Sequence, residues 1–263
     1  MAEQIWTLTH GNSPLVAIAP HNGHAVRAEL VDYYAIDESQ RLYEEDPYTA
    51  EWVKIAPTQI VATRSRFEVD LNRPPERAIY RTPEQAWGLT VWKQDLPSDM
   101  IQCTMDNYHA FYDMYLQLLH DIEARFGYVV VYEFHSYNHR RAGANQPPAP
   151  EIDNPEINVG TSGNHNDYWH EVWETFSSTL RQYDYLGRSL DVREDVRWLG
   201  GPISRFAHQH FPRTAISINI EVKKFFMDEW TAQPDWDQIH ELGKAFAATT
   251  NPMLDVMKYK FGR

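Results

Sequence analysis

The chain has a single cysteine, Cys103, so it can form no disulfide within itself and no cysteine-rich zinc module. No apolar run approaches the roughly 18 residues that a membrane helix needs. The first residues, MAEQIWTLTHGNS, lack the basic-then-apolar order of a secretory leader, and cytoplasmic residence is the expectation. Positive charge is scarce: 24 Lys and Arg stand against 37 Asp and Glu, a net charge of -13. A field of that sign repels nucleic-acid phosphates and anionic membrane surfaces, so neither is expected as a partner. The H-E-x-x-H helix motif, the G-x-S-x-G turn and a glycine-rich phosphate loop are all missing, as are internal repeats.

What is present reads as one globular unit. With 263 residues, 43% of them hydrophobic, residues 1–263 can bury a core as a single domain. Aromatic residues reach 13%, enough to fill a core and wall a pocket. Leu15–Ala19, Gln59–Ala62, Tyr128–Phe134 and Ala215–Glu221 are short apolar runs rich in β-branched residues, and read as strands. Asn107–Phe126 carries Tyr108, Phe111, Tyr115, Leu118, Leu119 and Ile122 at helical spacing, with Asp106 placed to cap its start and Gly127 to end it. Asp167–Tyr183 and Trp236–Ala248 show the same periodicity. Arg140–Pro155, dense in Pro, Gly and Asn, reads as a long loop of the kind that shapes a site. Strands alternating with helices predict an α/β fold with a mostly parallel or mixed central sheet flanked by helices.

In such sheets ligands gather outside the carboxyl ends of the strands. Three of the four predicted strands end on polar chemistry: Pro20-His21-Asn22-Gly23-His24, His135-Ser136 and Glu221. The fourth runs into TRSRFEVDLNRPPE, residues 63–76. A catalytic zinc site takes two imidazoles and a carboxylate and leaves room for water, while a separate carboxylate moves the proton. His21 and His135 suit the imidazoles, with His24 able to replace His21, and Glu221 suits the proton shuttle. Arg66, Asn72 and Arg73 could polarise a carbonyl or hold a carboxylate; equally, the Arg and Asp residues of SRFEVDLNR could form a structural ion-pair network. Tyr137, Asn138, His139, Trp169 and His208 are candidate wall residues.

These segments, in this order, resemble the N-formylglutamate amidohydrolase family. The resemblance lies in AIAPHNGHA, SRFEVDLNRPPE, VVVYEFHSYNHR (with Glu133 where the family has Asp), PEINVGTSG and SINIEVKKFFMDE. It implies a fold like that of the zinc carboxypeptidases (phosphorylase/hydrolase-like), one Zn2+, and hydrolysis of the amide bond of a small acidic N-acyl amino acid such as N-formylglutamate. It further implies His21, His135 and an acidic residue within YEEDPYTAEW as metal ligands, Asp46 ahead of Glu45, with Asp37 and Glu38 more distant choices. Glu221 falls at the general-base position, Arg66 at the oxyanion, and Asn72, Arg73 and Arg205 at the substrate carboxylate. The family's Asn-Arg-Arg is replaced by Val222-Lys223-Lys224, and Gly-Gly-Tyr-Ile-Thr-Arg by Gly200-Gly201-Pro202-Ile203-Ser204-Arg205, which points to an altered pocket wall. Two other readings share these residues: a carboxypeptidase-like or cell-wall peptide amide hydrolase, and a non-catalytic binder of small acids.

Overall fold

The computed structural model describes residues 4–162 and 167–262. A seven-stranded sheet runs through the molecule, formed by β1 (Trp6–Thr9), β2 (Leu15–Ala19), β3 (Thr58–Ala62), β4 (Val129–Tyr137), β5 (Ile157–Gly160), β6 (Val192–Glu194) and β7 (Ala215–Lys223) in the order β1-β3-β2-β4-β7-β5-β6. The helices are α1 (Glu38–Glu44), α2 (Thr49–Trp52), α3 (Ser98–Phe126), α4 (His170–Gln182), α5 (Pro202–His210) and α6 (Trp236–Phe261). The four strands expected from sequence form the parallel centre, β3-β2-β4-β7. The edges are mixed: β1 pairs antiparallel with β3, and β5 antiparallel with β7. The sheet is therefore the mixed α/β form of the expectation. No described helix is long and apolar enough to cross a membrane.

The alternation of side chains along each strand builds two cores. Leu15 and Ala17, Val130, Tyr132 and Phe134, and Ile216, Ile218 and Ile220 pack on one face with Trp173 and Phe176 of α4 and Leu242 and Phe246 of α6. The opposite residues, Val16, Ile18, Val129 and Val131, pack with Phe111, Tyr115 and Leu119 of α3 and Ile203 of α5. On this second face the apolar pattern stops partway along β4 and β7. Glu133, His135, Ser217 and Asn219 follow and are buried all the same. Buried polar groups need partners, so this is where a site is to be sought.

Several boundaries differ from the sequence reading. Helix α3 starts at Ser98, so Asp106 is an interior residue that accepts from Gln102 and not a cap. The added turns are anchored by Met100, Ile101 and Met105, which pack on a third apolar cluster containing Phe67 and Tyr80. Helix α6 continues to Phe261 through Pro252, because Met253 and Met257 extend its buried stripe. Strand β4 reaches Tyr137, which makes His135 a strand residue. Helix α5 and strands β1, β5 and β6 were not read from the sequence. The 140–155 segment is irregular apart from a 3-10 turn at Glu151–Asp153.

Gly127 ends α3 with φ of 82°, a conformation that costs a residue with Cβ about 1 kcal/mol. Gly127→Ala is expected to lower unfolding stability by about that amount in urea titration, with no loss of secondary structure.

Candidate metal centre and its cavity

Parallel pairing of β4 with β7 sets His135 directly beside Glu221 and Glu133 beside Asn219. His21 follows β2 by two residues, after Pro20. Its backbone oxygen accepts from the Asp46 N–H at 3.0 Å, which fixes the turn after α1 against the end of β2. Three side chains from distant parts of the chain thereby meet. His21 Nδ1 and His135 Nδ1 are 3.1 Å apart, and each lies 3.2 Å from Asp46 Oδ2. All three residues are buried.

The far nitrogens of both rings are held by carboxylates. His21 Nε2 is 2.7 Å from Asp70 Oδ1, and His135 Nε2 is 2.7 Å from Glu133 Oε1. Each carboxylate takes the Nε2–H of its ring and so selects the tautomer whose Nδ1 carries a lone pair. Two lone pairs and a carboxylate oxygen then converge on one point, an arrangement that repels itself unless positive charge sits there. The spacing fits such a charge: with bonds of about 2.0–2.1 Å, two ligand atoms of a tetrahedral zinc ion lie about 3.3 Å apart. The surrounding carboxylates make the same demand for positive charge at this point, which a proton on His135 meets unless a cation displaces it. Burial would lower the pKa of His135, yet Glu221, Asp46 and Glu133 hold it well above the usual imidazole range. Burial would raise the pKa of Asp46, yet His135 and His21 hold it well below the usual carboxylate range. The donor set suits a divalent ion such as zinc.

Glu221 stands differently. Burial pushes its carboxyl up to about 7. Among the described residues no hydrogen bond engages its side chain, and it faces a cavity of about 150 Å³ that it shares with His21, Asp46 and His135. Arg66, Asn72, Arg73, Trp87, Tyr137, Asn138, Arg141, Trp198, Gly200, Gly201 and Lys224 complete most of the wall. Arg66 is largely committed to Asp70, donating from Nε at 3.2 Å and Nη2 at 2.8 Å. The ion-pair network in SRFEVDLNR thus exists, and it supports the partner of His21. Arg73 is freer, 3.8 Å from Asp70 and 40% exposed. Asn72 lies 3.0 Å from His135 Nε2 and accepts from Ile203 N–H. A Cβ on Gly201 would fall 2.0 Å from that amide, so only glycine lets Asn72 sit there.

Other expectations resolve by placement. His24 turns outward to Glu45, whose carboxylate also accepts from Ser65. Neither belongs to the three-atom cluster. Asp37 caps α1 and is exposed, as is Glu38. Arg205 lines a neighbouring cavity and not this one. Tyr137 and Asn138 line it, whereas His139 pairs with Glu229, Trp169 is core and His208 accepts from Ser217 N–H. The PEINVGTSG segment holds its turn by Thr161 bonding to Asp195; its Gly163 lies outside the described residues.

The roles of three residues escaped the sequence reading. Glu133 and Asp70 orient the two rings; for Glu133 the signal was its i, i+2 relation to His135 on one strand face. Lys224 is the third. Its backbone N–H donates to Tyr137 O, and its buried ammonium to Tyr43 O at 2.7 Å and Glu45 O at 2.9 Å. One lysine therefore ties the end of β7 to the end of β4 and to the turn that carries Asp46. Burial lowers its pKa to about 8.

Residues 13–227 match the sequence profile of N-formylglutamate amidohydrolase, and the chain belongs to that family. Among solved structures it is similar to an N-formylglutamate amidohydrolase from Ralstonia eutropha JMP134, with 17% identity, 98% of each chain covered and a TM-score of 0.76. It is also similar to the gene product Atu2144 from Agrobacterium tumefaciens, with 15% identity, 97% of this chain and 96% of that one covered, and a TM-score of 0.70. At those identities the two structures establish the shared fold. No curated protein sequence matches the chain.

Glu133→Gln keeps the shape of the side chain and removes the charge that orients His135. It is expected to weaken divalent-metal affinity about 10- to 100-fold, read by competition with a chromophoric chelator, while the folded state persists.

Proposed function

We propose that the protein is a zinc-dependent amidohydrolase that removes a short acyl group, formyl in the first instance, from the nitrogen of an acidic amino acid. The observation that carries this reading is the triangle of His21 Nδ1, His135 Nδ1 and Asp46 Oδ2 beside a half-buried Glu221 whose side chain makes no hydrogen bond to the described residues, within a chain of the N-formylglutamate amidohydrolase family. The small cavity supports a formyl or acetyl group over a bulky acyl chain.

His21, Asp46 and His135 would hold the ion. Zinc held there would supply a water of pKa about 7 and would polarise the amide carbonyl. Glu221 accepts the proton of the attacking water on a carboxylate oxygen. It then delivers that proton to the leaving nitrogen as the C–N bond breaks, giving the free acid and the amine. A pKa raised towards neutrality suits a group that must both take and return a proton. Arg66 brings positive charge to the carbonyl oxygen from a position locked by Asp70 and Tyr80. Arg73 and Asn72 hold the substrate carboxylate, and Lys224 adds a buried positive charge to the same wall.

Purified protein is expected to carry about one zinc per chain, and to lose activity on chelation and regain it with zinc. Glu221→Gln should keep its metal and lose at least about 100-fold in kcat. His135→Ala should lose the metal itself. Hydrolysis of N-formylglutamate, N-acetylglutamate and short peptides, followed by amine release, separates the amidohydrolase from a peptide hydrolase. A variant at Glu221 with unchanged kcat removes that residue from the mechanism. Full metal loading without turnover of any amide supports instead a binder of small acids.

A further inference from the structure

A second cavity adjoins the first. It measures about 660 Å³ and is lined by Arg73, Arg77 and Arg205 with Tyr80, Thr82, Gln85 and Glu84. Arg73, Gly200 and Gly201 belong to both walls. The shared wall carries no side chain at its glycines because none fits. A Cβ on Gly200 would fall 2.0 Å from Ser162 Oγ, and one on Gly201 the same distance from Asn72. The two cavities thus meet at bare backbone, and the contact at Gly201 is with the amide that lies beside His135.

The charge of this outer cavity is reversed relative to the protein. The chain carries -13, yet three guanidiniums face one carboxylate, Glu84, on this wall. Arg205 is fixed in place by a 2.8 Å bond from Nη1 to Gly200 O, which leaves its other donors for a ligand. Arg73 lies beyond hydrogen-bond distance of Asp70 and reaches both cavities. Planar guanidiniums converging on one space match a carboxylate better than any neutral group. A small cavity at the metal centre that shares Arg73, Gly200 and Gly201 with a larger cationic one orders the substrate: acyl group at the metal centre, amine portion towards the guanidiniums.

Resting on the amidohydrolase reading, we propose that the outer cavity is a subsite for a distal carboxylate on the amine portion of the substrate. The preferred substrate is then an N-acyl peptide acid, such as an N-formyl dipeptide ending in glutamate, and not only the N-acyl amino acid. Arg77 and Arg205 select the tail, while Arg73 bridges the two chambers.

The test compares kcat/KM for N-formylalanyl-glutamate and N-formylalanyl-glutamine, two substrates that differ in one charge. The acidic compound is expected to be favoured at least about 10-fold at low salt, and the preference to shrink as ionic strength rises. The Arg77→Gln, Arg205→Gln double variant should bring the ratio close to 1. Both residues are exposed, so the fold is not at stake. Binding of the product alanyl-glutamate against alanyl-glutamine, followed by calorimetry on the zinc-loaded protein, gives a readout independent of turnover and should show the same charge preference. Hydrolysis of N-formylglutamate with no charge preference in either assay overturns the subsite and leaves the amidohydrolase standing. Absence of hydrolysis, with a charge preference in calorimetry that the double variant removes, sustains the subsite and overturns the catalytic reading.

Discussion

Two buried carboxylates, Asp70 and Glu133, fix the tautomer of two imidazoles, and the rest of the site depends on that constraint. Each takes the outer ring proton at 2.7 Å and turns the inner nitrogen, bare, towards Asp46. The price is a dense collection of negative charge in a region of low dielectric, where unpaired ions are strongly disfavoured. The protein offsets it partly with Arg66, clamped on Asp70, and partly with Lys224, held by two backbone carbonyls. The remaining imbalance falls at the centre of the triangle, which is where a cation belongs.

The fold explains why these groups can stand so close. Strands β4 and β7 are apolar on both faces at their starts and change character early on one face, at Glu133 and Ser217, and on the other only at Ser136 near the end of β4. The opposite face stays apolar further along, with Phe134, Ile220 and Val222 in the core formed with α4 and α6. The rigid layer behind the polar residues lets charged side chains be held in fixed positions without loosening the sheet. Loops then supply what the strands cannot: Asp46 from the turn after α1, Asn72 and Arg73 from the segment after β3, and Arg141 from the segment after β4. Arg141 pairs with Glu44 at 2.7 Å on the cavity wall, so the irregular 140–155 segment does shape the site.

Much of this was legible in the sequence, for identifiable reasons. The central parallel strands announced themselves through β-branched runs, and the residues at their ends drew attention because of where α/β sheets place ligands. His21, His135 and Asp46 do converge; of the two acidic candidates it is Asp46 whose carboxylate lies against both imidazoles, while Glu45 pairs with His24 and Ser65. Short edge strands such as Val192–Glu194 carry too few residues for a pattern. Helix α5 starts on Pro202 directly after Gly200-Gly201, a run that reads as a turn. Asp106 looked like a cap because the periodicity strengthens after it, while the preceding turn packs on a separate cluster. The roles of Glu133 and Lys224 depend on contacts across strands and across distant turns, and no local pattern reports them. Arg205 sits beside a second cavity, a distinction that spacing alone does not make.

The most direct test is a crystal structure of the zinc-loaded protein with anomalous scattering at the zinc edge. The account predicts one strong anomalous peak about 2 Å from His21 Nδ1, His135 Nδ1 and Asp46 Oδ2, with both Nε2 atoms still on their carboxylates. A peak bound through Nε2 of either ring, or a metal placed elsewhere with this triangle closed by protons alone, would contradict it.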